Sequence, residues 1–438
     1  MKYTYIIPLF FLLINCSSND NEVPTKSIPE IQFIKTFGGG NNEVGLSATK
    51  TSDNGYAVLG YTQSNDGDIT TKTDTSFDYL VLKYSSDDEL LWSKTYGGSA
   101  DDRGQNIIET SDNGFLVIGY TSSNDNDVET YYGGNDFWIV KLDSSGNISW
   151  QKTFGYIGND NGIQIIQTSD SGFLIVGELD VSSSAGEGNA KTTALKHAGG
   201  DYWVIKLNTS GEFEWSRYYG GSFTDTPHGI VETDEGNFII TGTSDSDDVD
   251  ISNNKGSYDI WTIKISNTGD LIWDKNYGGV EIDEAKAICK TQDGNILIVG
   301  NTRSSDQDVS TNQGGADLWL LKIDTNGNLL WEKTFGGSSF DIGSSIYQTE
   351  DGFIISGSSR SLDNEFTNQG QNDAWILKIS SEGNQEWQKL IGGSNIDYLY
   401  DCVQLNDGSF IAVGESESSD GDITENKGFS DLLIIKIN

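Results

Sequence analysis

Apolar residues in this chain gather in short runs closed by glycine or by polar turns, the pattern of buried strands. After Gly279, Asp283 to Thr291 carries a short apolar stretch that meets the turn Gln292-Asp293-Gly294. Asn295 to Gly300 then reads as a buried strand, Ile296-Leu297-Ile298-Val299 bounded by glycine. A polar loop of about 16 residues follows. Leu318 to Ile323 is again apolar, Asp324-Thr325-Asn326-Gly327 reverses the chain, and Leu329 to Phe335 forms a fourth strand. Four antiparallel strands, lettered A to D, make one unit.

That unit is written seven times. An aromatic followed by x-Lys-Thr-aromatic-Gly-Gly recurs, with substitutions, at Phe33, Trp92, Trp150, Trp215, Trp273, Trp331 and Trp387, in steps of 56 to 65 residues. Between these anchors an Asp-x-Trp-x-x-Lys pattern recurs at Asp78, Asp136, Asp201, Asp259, Asp317, Asp373 and Asp431, each with a Lys five residues on, from Lys83 to Lys436. No such unit buries its apolar faces alone, so the repetition predicts a radial array. The expected fold class is all-β, a seven-bladed β-propeller of four-stranded blades spanning residues 30–438. The chain stops at Ile434-Ile435-Lys436-Ile437, a C strand with no D strand after it. It opens its repeats on Gln32-Phe33-Ile34-Lys35-Thr36-Phe37, a D strand with no blade before it. The N-terminal strand is therefore expected to complete the last blade. Trp138, Trp203, Trp261, Trp319 and Trp375, with Leu80 and Leu433 in the same slot, are expected in the core between blades.

Strand alternation places the D-to-A and B-to-C loops together on one face, the top. Four residues past each Gly-Gly (Gly-Tyr in the third unit) stands an acid: Glu43, Asp102, Asp160, Asp225, Asp283, Asp341 and Asp397. Six and eight residues after the glycine ending strand B comes Asp-x-Asp, at Asp66/Asp68, Asp125/Asp127, Asp248/Asp250, Asp306/Asp308 and Asp420/Asp422, with Asp363/Glu365 as a variant. Blade three has Ser183 and Ala185 there. Hard carboxylate oxygens at this spacing are candidate calcium ligands. Short Asp motifs also cap turns by bonding to their own backbone. The sevenfold acid reads as scaffold, because a site needs one special position and a ring supplies seven equal ones. The long top loops mark that face as the working surface.

Departures from the repeat are sharper clues. Blade three carries an extended B-to-C loop, Val181 to Gly200, containing His197, and the next inward strand starts Thr226-Pro227-His228. These are the two histidines of the chain, and both map to the top at adjacent blades. Arg217 replaces the repeat Lys nearby and Tyr218 its Thr. His197, His228, Tyr218 and Arg217 are thus candidates for a general base and anion clamp in polysaccharide cleavage, or for transition-metal ligation. A drifted loop that recognises a ligand, or merely tolerates insertion, is the plainer reading.

Composition narrows the function classes. The formal charge of −39 argues against a nucleic-acid partner and favours a cation or cationic partner, if the charge is used at all. Cys289 and Cys402 fall in the same strand of blades five and seven and are expected as two buried free thiols. Cys16 differs: it follows Met1-Lys2 and an apolar run from Tyr5 to Ile14, too short to span a bilayer but right for a secretory signal core. Leu13-Ile14-Asn15-Cys16 resembles a bacterial lipobox, with Asn15 departing from the usual small residue. Residues 1–15 then form a signal peptide, Cys16 carries lipid, and residues 16–29 form a polar acidic tether reaching about 20 Å. Ser17-Ser18-Asn19-Asp20-Asn21-Glu22 is similar to the surface-export signal of lipoproteins in the Bacteroidota. The tether enters its D strand from the bottom, so the top faces away from the membrane.

From Phe33 to Asn438 the chain resembles the Trp-x-Lys-Thr-Tyr-Gly-Gly and Asp-x-Trp propeller repeats of secreted and surface lipoproteins in the Bacteroidota and some archaea, as in Trp331-Glu332-Lys333-Thr334-Phe335-Gly336-Gly337. The resemblance implies the fold and an outer-membrane, lipid-anchored location, with no shared catalytic motif. Quinoprotein dehydrogenases also repeat Trp around a propeller, but typically with eight blades and neighbouring cysteines. The leading expectation is a non-enzymatic binding or complex-forming propeller presenting its acidic top to a glycan, cation or protein. Two alternatives accompany it: a polysaccharide hydrolase or lyase with a site near blades three and four, and an accessory subunit of an outer-membrane transport or secretion complex.

Overall fold

The computed structural model describes Met1 and residues 29–184, 197–363 and 365–438. Within them 28 strands form seven four-stranded antiparallel sheets, the blades of a seven-bladed β-propeller. Blade five shows the pattern: Asp283–Lys290, Ile296–Thr302, Asp317–Ile323 and Leu329–Phe335 are strands A to D. Blade seven takes A, B and C from the C-terminus (Asp397–Gln404, Phe410–Ser416, Asp431–Ile437). Its D strand is Ile31–Phe37, with Phe33 opposite Lys436 and Phe37 opposite Leu432. The expected closure is therefore the one found. Cys16 and the tether up to residue 28 lie outside the described residues.

The A strands are innermost, since each packs against the A strands of both neighbours. Every A strand carries one extra residue in its pairing with strand B: Leu46, Gln105, Ile163, His228, Lys286, Ser344 and Tyr400. Such a bulge bends the strand and re-aims a side chain. All seven are half-buried, each after a buried residue, and form an axial row around the central channel.

Apolar side chains from adjacent blades merge at each of the seven seams. The five repeat tryptophans with Leu80 and Leu433 are buried there, as expected. Trp138 meets Tyr79 of blade one with ring centroids 4.8 Å apart, and Trp261 meets Tyr202 of blade three at 4.5 Å. Truncating one such ring to alanine costs about 3–5 kcal/mol.

Towards the bottom the repeat lysines explain themselves. Each is buried, and its ammonium reaches an acid of the A-to-B turn: Lys83–Asp53 at 3.0 Å, Lys141–Asp112 at 2.9 Å, Lys206–Asp170 at 3.0 Å, Lys264–Glu235 at 3.1 Å, Lys322–Asp293 at 2.7 Å and Lys378–Asp351 at 2.9 Å. Lys436 bonds Asp88 of blade one at 2.8 Å, across the closing seam, with Asp407 of its own A-to-B turn farther off at 3.9 Å. Cys289 and Cys402 are free thiols, Cys402 buried and Cys289 only half-buried. Burial pushes both thiols up to about 12, and a charge on Cys402 would add to the cost at Cys289.

Candidate functional site

Of the acidic signatures of the top, the acid after each Gly-Gly is buried, whereas the Asp-x-Asp carboxylates are exposed or half-buried. In five of the turns, three successive amides of the Gly-Gly-x stretch are taken by neighbouring carboxylates. In blade two, Gly97 N donates to Asp127 Oδ2 at 3.2 Å, Gly98 N to Asp102 Oδ2 at 2.6 Å, and Ser99 N to Asp125 Oδ1 at 2.8 Å. The same triplets involve Asp68, Glu43 and Asp66 of blade one, and Asp250, Asp225 and Asp248 of blade four. Blade five uses Asp308, Asp283 and Asp306, and blade seven Asp422, Asp397 and Asp420. The glycine is required by close approach: a Cβ on Gly98 would stand 2.5 Å from Asp125 Oδ1 and from Ser123 Cβ. These calcium candidates are thus engaged as caps tying one blade's exit to the next blade's loop. Among the described residues no three His, Cys, Asp or Glu side chains converge as a metal site.

The Asp of each Asp-x-Trp is buried at the start of strand C and accepts the amide four residues earlier, as in Tyr132 N to Asp136 and Gln313 N to Asp317, both 2.6 Å. Blade one substitutes the Lys72 ammonium, 3.0 Å from Asp78. Blade three substitutes His197, whose Nδ1 lies 2.5 Å from Asp201 Oδ2 and whose ring sits edge-on to Tyr218 at 5.0 Å. His197 therefore fills a structural slot that the backbone fills elsewhere. Residues 185–196 of its loop lie outside the described residues.

Arg217 is the neighbour of Tyr218 on strand D, so the two side chains leave opposite faces. Its Nη1 donates to Ser216 O at 2.7 Å. His228 corrects the expectation most clearly. It is the fourth residue of the blade-four A strand (Asp225–Glu232) and belongs to the axial row, not to the top loops. Burial by the channel wall lowers its pKa to about 3, and the Lys286 charge adds to the effect, so the imidazole is neutral. The structure brings His197, Tyr218 and Asp201 together and leaves Arg217 and His228 elsewhere.

What gathers at the top mouth of the channel, and on the axial row just inside it, is a set of unrepeated side chains. Tyr398 and Tyr400 stand 6.1 Å apart in blade seven, and Tyr400 Oη donates to Glu415 Oε1 at 2.6 Å. Ser430 Oγ donates to the other oxygen of Glu415 at 2.8 Å. In blades one and two, the Arg103 guanidinium lies 5.1 Å from the Tyr61 ring centre and 3.9 Å from that of Phe77. Beside Tyr398 a depression of about 370 Å³ opens over blades five and six, lined by Lys286, Arg303, Phe340 and Arg360. The chain has only four arginines, and three of them stand at this mouth. Sequence reasoning passed over these positions, although the scarcity of arginine was a signal that could have found them.

No family model matches the chain, and no curated protein does. Solved propellers align along most of its length at low identity. A proposed 6-phosphogluconolactonase from Bacteroides uniformis is 12% identical over 87% of this chain and 99% of its own, with a TM-score of 0.47. Sqt1 from Chaetomium thermophilum is 8% identical over 92% and 99%, with a TM-score of 0.45. The PQQ-bound aldose sugar dehydrogenase from Streptomyces coelicolor is 11% identical over 94% and 100%, with a TM-score of 0.39.

Proposed function

We propose that this protein is a binding propeller, held in the outer membrane by lipid on Cys16 and displayed at the cell surface, which recognises a glycan at the top mouth of its channel. One observation carries the binding role. The repeated acids and lysines are consumed in holding turns and seams, whereas the side chains that differ from blade to blade collect at the mouth. A sevenfold scaffold makes seven equal positions, and recognition needs unequal ones. Tyr398, Tyr400, Phe340 and Tyr61 supply ring faces for sugar rings, and Glu415 supplies a fixed acceptor. The lipobox-like segment and the entry of the N-terminal strand at the bottom support the orientation. A hydrolase or lyase centred on His197 and His228 finds less support, because His197 is bonded to Asp201 and His228 lies in the channel.

Two measurements test the proposal. Cys16→Ala should move the protein from the membrane to the soluble fraction; retention in the membrane contradicts the anchor. On a glycan array, the full chain should select a set of saccharides and Tyr398→Ala should lose it with melting unchanged. Equal signal from wild type and Tyr398→Ala contradicts the mouth as the binding site.

A further inference from the structure

In the third position after the glycine ending strand B, the backbone amide is fixed by the scaffold. Gln63 N donates to Asn42 O, Ser122 N to Asp101 O, Arg303 N to Ile282 O, Arg360 N to Phe340 O and Glu417 N to Ile396 O, all at 2.9 Å. Only the side chain varies, so the slot works as a set of interchangeable teeth around the mouth. Blades five and six place arginine there, while blades three, four and seven place Asp180, Asp245 and Glu417. In this slot the ring is therefore positive at blades five and six only.

The chain holds 66 acidic and 27 basic residues, and the repeat lysines all have a carboxylate partner. Yet among the described residues neither Arg303 nor Arg360 makes an ion pair, and both side chains are exposed. Arg303 instead lies over the Phe340 ring at 5.8 Å, and Phe340 itself is 43% exposed. Lys286 adds a third cation and is matched by Glu284 at 3.3 Å, which leaves the two guanidinium groups as the local surplus. The depression is at the small end of ligand pockets, which run from about 300 to 1,000 Å³. The net charge of the whole protein opposes an incoming anion at long range, but salt screens that field beyond about 8 Å at physiological ionic strength. Contact with the guanidinium forks is not screened in the same way, so the local pair decides.

We infer that this depression receives a negatively charged sugar, a uronic acid unit of an acidic polysaccharide, with its carboxylate between Arg303 and Arg360 and its ring against Phe340 and Tyr398. The planar fork of arginine matches a carboxylate with two parallel hydrogen bonds, and the apolar face of a pyranose fits an aromatic wall. This deepens the glycan-binding reading and rests on it.

The test is calorimetric titration of the full chain with oligogalacturonate, oligomannuronate and oligoglucuronate, against neutral oligogalactose of equal length. At least one acidic oligomer should bind about tenfold or more tightly than the neutral one, and Arg303→Ala or Arg360→Ala should weaken it by about tenfold. Because both side chains are exposed, neither substitution threatens the fold, and an unchanged melting temperature verifies this. Absence of binding by all three acidic oligomers, or equal binding by acidic and neutral ones, overturns the inference. Neutral binding that disappears in Tyr398→Ala but ignores both arginines overturns it while leaving the mouth reading intact. Acidic binding that survives all three substitutions overturns both.

Discussion

The Asp401 carboxylate of blade seven accepts the amide of Ala48 in blade one at 2.9 Å, stitching the last blade to the first at the inner wall. The same strand position repeats the stitch at three further seams. Ser47 Oγ takes Ile107 N at 3.4 Å, Asn106 Oδ1 takes Ile165 N at 3.2 Å, and Gln164 Oε1 takes Ile230 N at 2.6 Å. At the outer wall of blade seven, closure depends on the N-terminal strand.

Deleting residues 30–38 should therefore open blade seven along its C strand, Asp431–Ile437, and expose Ile435 and Ile437. The expected outcome is loss of a single cooperative thermal transition, read by circular dichroism. Asp401→Leu tests the inner stitch, where an amide left without a partner costs about 1–3 kcal/mol. A truncation that melts like the full chain contradicts closure by the first strand.

Acid should stabilise this protein over a defined range. Burial is the main cause raising Asp225 to about 8, Asp78, Asp136 and Asp259 to about 7, and Asp160, Asp317, Asp373, Asp401 and Asp431 to about 6. Unfolded aspartates titrate near 3.9, roughly. Between these values the folded chain holds more protons than the unfolded one, so stability falls as pH rises through the folded values. Lower down the sign reverses. Against a burial cost, Asp112 and Asp170 are held at about 2 by Thr110 and Thr168 and by Lys141 and Lys206. They lose that stabilisation as pH falls below the unfolded value. Scanning calorimetry should place the highest melting temperature near pH 4, roughly, with a decline towards pH 8. A maximum at pH 8 contradicts the burial of these carboxylates.

His197→Ala should lower the melting temperature, because it strips Asp201 of its imidazole partner, and should leave saccharide binding intact. His228→Ala removes a neutral ring from the channel wall and should change either quantity little. Loss of a polysaccharide-cleaving activity in the double variant, measured by reducing-end release, would instead favour the hydrolase or lyase reading.

Calcium addition after chelation should leave the melting temperature unchanged, since Asp66, Asp68, Asp125, Asp127, Asp248, Asp250, Asp306, Asp308, Asp420 and Asp422 each already accept a backbone amide. Heat on titration together with a rise in melting temperature contradicts that assignment and restores calcium.

The architecture was readable because repetition averages out local ambiguity. Ile296-Leu297-Ile298-Val299 alone is equally a strand or a helix turn, but seven spaced copies point to one ring, and the pairing of Ile31–Phe37 with Asp431–Ile437 closes it. The site was less readable. An A-strand bulge such as that at His228 leaves no mark in the apolar pattern, so a residue expected at a loop lies in the channel instead. The Asp-x-Asp pairs allowed both turn capping and calcium, with capping the plainer reading, and the Gly-Gly amides they accept are set beside them only by the fold. Arg303, Arg360 and Tyr398 lie outside every repeated motif, on three different blades, and only the ring brings them into one depression.

A crystal structure of the full chain with its captured saccharide tests the central claim most directly. Ligand density over Phe340, Tyr398 and the two arginines at the channel mouth is the expected result. Density confined to the outer strand edges or the bottom face would contradict recognition at the mouth.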